Sequence, residues 1–216
     1  GRSVKGIKAV IFDFDGVLVE SVDVKTRAFA EMYRSYGGEI ERAVISYHLE
    51  HGGRSRHEKF RHYEEQLLGQ PLSSDREKKL ADTFSRKVKE AVVDAPFVPG
   101  AYQFLLNYHK KLSLFVASGT PEEELKEIIS RRDMSRFFVS IHGAPARKAE
   151  IIRNICELHG FNSNFVLMVG DSRTDYEGAA AAGVSFIGRV LGNKPVFPPH
   201  IPVIPDLTTL HQYCLK

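Results

Sequence analysis

Only two cysteines occur in the 216 residues, Cys156 and Cys214. Two thiols so far apart make neither a metal motif nor a disulfide framework, so a reducing cytoplasm is the expected setting. No apolar run approaches the roughly 20 residues that span a bilayer. No apolar leader follows Gly1-Arg2-Ser3. A membrane partner is therefore not expected. Internal repeats and low-complexity tracts are missing as well, which argues against solenoid arrays and disordered tails. The formal net charge is only +3, too weak to point to a nucleic-acid partner.

What is present is ordinary for a folded enzyme-sized chain: 43% hydrophobic and 26% charged residues, enough for one full core domain and a small second lobe. Ala9-Val10-Ile11-Phe12 is a short apolar run that reads as a buried strand ending at Asp13. Similar runs recur at residues 112–117, 137–141, 165–169 and 184–187. Helical patterns at 99–110, 121–132, 146–159 and 174–182 alternate with them. This alternation predicts an α/β fold, a Rossmann-like parallel sheet covered on both faces. The tail, 203–216, reads as a last short strand and a closing helix. Almost a hundred residues separate the first strand from the second. They hold four amphipathic helical patterns, 21–36, 40–50, 54–68 and 74–93, and no convincing strand. The predicted architecture is thus a core domain of residues 1–19 and 97–216, with a helical cap, 20–96, inserted after the first strand.

Ligands of open parallel sheets gather at the carboxyl ends of strands. Those ends carry Asp13-Phe14-Asp15-Gly16, Ser118-Gly119-Thr120, Gly143-Ala144-Pro145 with Lys148 just beyond, and Gly170-Asp171-Ser172 with Asp175 one turn later. Singly, each has a plain structural explanation: a turn, a helix start at Thr120-Pro121, a solvated lysine, a cap. Jointly they place four aspartates, hydroxyls and a lysine on one rim. Crowded carboxylates repel one another. A divalent cation resolves the conflict, and oxygen-only ligands select a hard ion such as magnesium. Ser118, Lys148 and the backbone near Gly119 would complement phosphate oxygens.

The stretch Ile11-Phe12-Asp13-Phe14-Asp15-Gly16-Val17-Leu18-Val19-Glu20-Ser21 resembles the first motif of the haloacid dehalogenase-like hydrolase superfamily. Val116-Ala117-Ser118-Gly119-Thr120, Lys148 and Val169-Gly170-Asp171-Ser172-Arg173-Thr174-Asp175 resemble the other three. A helical cap directly after the first motif resembles the phosphoglycolate phosphatase and β-phosphoglucomutase branch. The resemblance implies a magnesium-dependent phosphatase acting on a small phosphorylated metabolite. Asp13 would be the nucleophile and Asp15 the acid and base. Asp13, the Asp15 carbonyl and Asp171 would hold the metal. Ser118 and Lys148 would steady the phosphoryl oxygens beside Gly119 and Thr120, and Asp175 would support the metal site. True dehalogenases and phosphonate hydrolases lack an aspartate at position 15, so phosphate esters are favoured.

In the predicted cap, Gly53-x-Ser55-Arg56 resembles the β-phosphoglucomutase loop whose arginine meets the substrate's distal phosphate, which makes Arg56 a candidate substrate contact. Lys25 aligns with a cap-hinge histidine of that enzyme and is a second candidate. His48, His51, His57 and His62 cluster in sequence without a metal-ligand pattern. The basic run Arg54, Arg56, Lys59, Arg61 has no interleaved aromatic platform, so it suits a phosphate-bearing substrate better than nucleic acid. Two positions depart from the patterns. The mutase carries a glutamate where this chain has Gly170, which favours hydrolysis over the mutase alternative. Glu20 replaces the aspartate usual before Ser21. A catalytically idle binding protein of the same fold is the other alternative.

Overall fold

The structure is a computed structural model that describes residues 6–193 and 196–215. The extreme ends of the predicted core domain, Gly1 to Lys5 and Lys216, lie outside the described residues. Six parallel strands build one sheet: β1 (Ala9–Phe12), β2 (Ser113–Pro121), β3 (Ser140–Ala144), β4 (Val166–Gly170), β5 (Ser185–Arg189) and β6 (Val203–Ile204). Their order is β3-β2-β1-β4-β5-β6. β1 is central, with Phe12 level with Val116 of β2 and Val169 of β4. The chain leaves β1 toward one edge and returns to its other side with β4. This reversal makes a crevice at the carboxyl ends of β1 and β4, the position where such sheets bind ligands.

Burial follows the strand period of two. Val10, Phe12, Leu114, Val116, Leu167 and Val169 face one apolar layer. Helices α5 (Ala101–Tyr108), α6 (Glu122–Arg131) and α9 (His211–Cys214) cover that layer through Phe104, Leu105, Leu125, Ile128, Ile129 and Cys214. Ala9, Ile11, Phe115, Ala117, Val166 and Met168 face the other layer. There α7 (Lys148–His159) and α8 (Arg173–Ala182) supply Ile151, Ile152, Ile155 and Ala179. The third strand lies three residues later than its apolar pattern suggested. Ser135–Phe137 instead forms a 3-10 turn that buries Phe137 in the first layer.

Between β1 and α5 the chain inserts four α-helices joined by loops: α1 (Val22–Tyr33), α2 (Gly38–Glu50), α3 (Arg56–Arg61) and α4 (Ser74–Asp94). Ser55 caps α3 and Ser73 caps α4, each accepting a backbone N–H three residues on. The predicted helix 54–68 is α3 continued by a wider π-helical turn, His62–Leu67. Aromatic side chains pack together within this insertion and continue the first apolar layer. Phe29 stacks on Phe84 at 4.1 Å between ring centroids and meets Phe60 and Tyr63 edge-on. Its two connections run side by side: Glu20 N–H donates to the Pro96 carbonyl and Val98 N–H to the Leu18 carbonyl. Glu20 is further tied to Arg189, whose guanidinium also donates to the Gly16 and Pro205 carbonyls. The glutamate at position 20 thus anchors the entry to the insertion against β5.

Candidate active site

Asp13 emerges at the end of β1, 5% exposed. Its Oδ1 accepts the Phe14 N–H at 2.8 Å and lies 3.2 Å from Lys148 Nζ, fixing the carboxylate's orientation. Lys148 opens α7, where a cation is unfavourable beside the helix's positive end. It is held there by Asp13 and by Asp175 Oδ1. Burial works against the Lys148 charge, but Asp13 and Asp175 outweigh it and hold the ammonium above its ordinary value. Asp175 sits at the third position of α8, in a capping box with Ser172. Its Oδ2 accepts the backbone N–H groups of Asp171 and Ser172 and the Ser172 hydroxyl. Both its oxygens are therefore engaged in positioning Lys148 and the turn that carries Asp171.

Close approach at this rim requires glycine twice. Gly16 has φ +77°, and a Cβ there would lie 2.2 Å from Asp171 Oδ2. A Cβ on Gly170 would lie 2.3 Å from the Asp175 Cβ. Asp13, Asp171 and Asp175 each bring one carboxylate oxygen within 4.8 Å of the others. Burial pushes the Asp13 carboxyl well above its usual range, with Asp175 adding to the effect and Lys148 opposing it. Burial and then Asp175 push Asp171 up to about 7.

Asp15 behaves oppositely. Burial alone would raise it, but Lys25 and Ser21 outweigh burial and keep its carboxyl below the usual value. The Lys25 ammonium lies 2.6 Å from Asp15 Oδ2 and 2.8 Å from Thr120 Oγ1. The Ser21 hydroxyl donates to Oδ1 at 2.5 Å. Ser118, 1% exposed, accepts the Thr120 N–H at 3.1 Å at the end of β2. These groups open into a cavity of about 790 Å³. Asp13, Asp15, Ser118, Gly119, Thr120 and Asp171 form its floor, and Lys25, His48, Arg56 and Lys59 come from the insertion. The loop at Gly53 closes against the floor: a Cβ on Gly53 would meet Ser172 Oγ at 2.6 Å.

Arg56 lines this cavity with its guanidinium already engaged. It is 4% exposed, donates from both terminal nitrogens to Glu124 of α6 and from one to Ser85, and lies over the Phe84 ring. The clustered histidines do not converge on one point, although His48 and His51 both line the cavity. His57 meets Glu77, His62 stacks on Tyr47, and His51 leans on the same ring. His48 meets Lys59. Two partnerships had no signal in the sequence. Glu124 lies 68 residues from Arg56, and Arg189 lies 169 residues from Glu20.

The class that this fold and rim define is an α/β enzyme with an aspartate-centred site at the sheet's switch point, beneath a helical insertion. The chain belongs to the haloacid dehalogenase-like hydrolase family, which matches residues 10–189. It is 26% identical over 194 residues to a phosphorylated carbohydrates phosphatase from Thermotoga maritima, covering 86% of either chain. It is 25% identical to a phosphoglycolate phosphatase from Pseudomonas savastanoi pv. phaseolicola, covering 96% of this chain and 80% of that one. These relatives agree with the branch that the first motif and the inserted helices suggested. A solved structure, the HAD-hydrolase YfnB from Bacillus subtilis bound to magnesium, superposes with TM-score 0.73 over 96% of this chain and 98% of that chain. At 18% identity that likeness concerns the fold. Among the described residues no helix is long and apolar enough to cross a membrane.

Proposed function

We propose that the protein is a magnesium-dependent phosphatase that releases phosphate from a small phosphorylated metabolite through an aspartyl-phosphate on Asp13. The observation that carries this reading is the convergence of Asp13, Asp15, Ser118 and Asp171, from three neighbouring strands, on one cavity roofed by helices, with Lys148 held against Asp13. The cavity's size suits a small metabolite. The phosphatases among the relatives support the substrate class.

The donor set fits a hard cation. Asp175 has both oxygens occupied, so Asp13, Asp171 and the Asp15 backbone carbonyl are the ligands that suit it. When bound there, magnesium would neutralise the crowded carboxylates and the charge of the phosphate.

Asp13, held by Phe14 N–H and Lys148, attacks phosphorus. The Asp13 O–P bond forms as the bond to the leaving oxygen breaks. Ser118 and Lys148 balance charge on the phosphoryl oxygens. The leaving alkoxide takes a proton from Asp15. The Lys25 ammonium holds the Asp15 carboxyl below its usual value. An arriving phosphate competes for the Lys25 ammonium, and its negative charge raises Asp15, so Asp15 acquires the proton that it then donates. In the second step Asp15 removes a proton from water, the water oxygen bonds to phosphorus, and Asp13 is released. Helices α1–α4 act as a cap that closes over this chemistry, hinged at 17–22 and 94–99.

A panel of phosphorylated metabolites, assayed for released phosphate with and without magnesium, tests the reading. Asp13→Asn is expected to abolish turnover with the fold intact. Beryllium trifluoride is expected to bind the wild type with magnesium. No binding and no hydrolysis across the panel would favour an idle binding protein. Gly170 favours the hydrolase over the mutase, because the β-phosphoglucomutase pattern carries a glutamate at this position. Conversion of β-glucose 1-phosphate to glucose 6-phosphate without phosphate release would reverse that preference.

A further inference from the structure

Four cations are buried among the described residues: Arg56, Lys59, Lys148 and Arg189. Three of them meet carboxylates. Arg56 pairs with Glu124, Lys148 with Asp13 and Asp175, and Arg189 with Glu20. Lys59 has no carboxylate partner among the described residues. Its ammonium lies 2.9 Å from His48 Nδ1 and 5.7 Å from the centre of the Phe29 ring. A buried cation without a counter-charge is strongly unfavourable. Burial and then the neighbouring Lys25 charge push Lys59 down to about 7. Stability alone would favour an aliphatic side chain here, so the lysine answers to something that the chain itself does not contain.

His48 sharpens the point. It is 5% exposed, and burial and then Lys59 push it down to about 2, so its ring is neutral. With Nδ1 accepting from Lys59, the ring proton resides on Nε2, which is buried and has no partner. Lys59 and His48 both line the cavity that holds Asp13 and Asp15. Lys59 stands on α3 and His48 on α2, across from the strand ends. A counter-ion can therefore reach them through the cavity, carried on the part of a ligand that points away from the sheet. Of the other insertion cations along this cavity, Arg56 is already neutralised by Glu124 and Lys25 by Asp15, and Arg54 lies exposed at its edge beside the Tyr47 hydroxyl.

We propose that Lys59, oriented by His48, binds an anionic group on the leaving-group side of the substrate, so that the enzyme prefers phosphate esters carrying a carboxylate or a second phosphate over esters with a neutral leaving group. This deepens the phosphatase reading and rests on it. The lysine draws the distal anion toward the cap, and the reacting phosphate falls onto Asp13. The ammonium regains the counter-charge that it lacks in the free enzyme.

The experiment compares matched pairs: 2-phosphoglycolate against ethyl phosphate for the carboxylate, and glucose 1,6-bisphosphate against glucose 6-phosphate for the second phosphate. Values of kcat/KM are measured for the wild type, Lys59→Met and Lys59→Arg. Lys59→Met is expected to lower kcat/KM for the doubly anionic member of at least one pair by about tenfold to a hundredfold more than for its neutral mate, chiefly through KM. Lys59→Arg is expected to restore part of that difference. The pair that responds identifies the anion. Equal losses within both pairs, or a wild type without preference in either, would overturn the proposal. If no ester is turned over, the phosphatase reading fails, and the site is tested by calorimetry instead. Binding of 2-phosphoglycolate and glucose 1,6-bisphosphate is then measured on Asp13→Asn protein with and without Lys59→Met. A tenfold or greater loss of affinity for either ligand supports the anion site, and unchanged affinity for both overturns it.

Discussion

Arg56→Ala separates two roles for one arginine, substrate contact and structural tie. Its guanidinium is 3% exposed, and the Glu124 carboxylate facing it is 9% exposed. The paired atoms lie at 2.5 Å and 3.2 Å, with Ser85 at 2.7 Å and Phe84 beneath. Truncation removes the partner of a desolvated carboxylate. Breaking such a pair from one side costs about 3–5 kcal/mol. For a chain of this length each kcal/mol moves Tm by about 2–4 °C, so a fall of roughly 6–20 °C is expected in a circular-dichroism melt at pH 7. Replacing both partners by leucine is expected to recover much of that loss, because no charge is then stranded. The pH dependence has a definite sign. Burial would raise Glu124, but Arg56 and Ser85 outweigh it and hold it below the usual carboxylate value. Its stabilising contribution is therefore complete above the unfolded value of about 4.3 and is lost as pH falls through the lower folded value. The gap between wild type and Arg56→Ala should be widest near neutrality and close in acid. A variant melting within about 2 °C of wild type at pH 7 with a greatly raised KM would refute the tie and return Arg56 to the substrate.

Lys59→Met is expected to raise Tm at pH 6. Lys59 titrates near 7 in the folded protein, lowered by burial and then by Lys25 and Lys148, with Asp15 and Asp171 opposing and neutral His48 in contact. The unfolded chain therefore binds more protons between about pH 7 and 10.4. Wild-type stability should climb over that window and the advantage of Met should shrink; an advantage that grew with pH would count against the assignment. Magnesium is expected to raise Tm in proportion to its saturation, by about 2.7 kcal/mol of stability at a hundred times Kd. Asp171→Asn should reduce that shift severely, as read by melts with magnesium and with chelator. Gly170→Ala pushes a Cβ into Asp175 and is expected to destabilise by about 1–3 kcal/mol. It should lower phosphate release more than tenfold, because Lys148 loses its support; full activity would show that Asp175 can shift freely.

The core was legible in the sequence because buried parallel strands read as short apolar runs, and because the polar rim follows each run directly. Asp13, Ser118 and Asp171 are fixed by local chain geometry: Asp13 and Asp171 stand just beyond strand ends and Ser118 in the last residues of β2, where period and spacing already place them. Lys148 and Asp175 lie on the first turns of helices, so their direction followed once the helices were recognised. The third strand was misplaced because Phe137 is apolar and buried without belonging to a strand.

The insertion was less readable. Its four helices could be told from their periodicity, but not which cations would be matched by acids. A basic run of Arg54, Arg56, Lys59 and Arg61 looks uniform as text. Packing divides it: Arg56 meets a glutamate 68 residues away, Lys59 is buried against a histidine, and Arg54 and Arg61 remain at the surface. Sequence by itself determined the family, the sheet and the polar rim, since those depend on spacing within short segments. Only the tertiary structure decided which buried cation, among the described residues, stands without a counter-charge, because ion pairing is set by distance and desolvation between residues far apart in the chain.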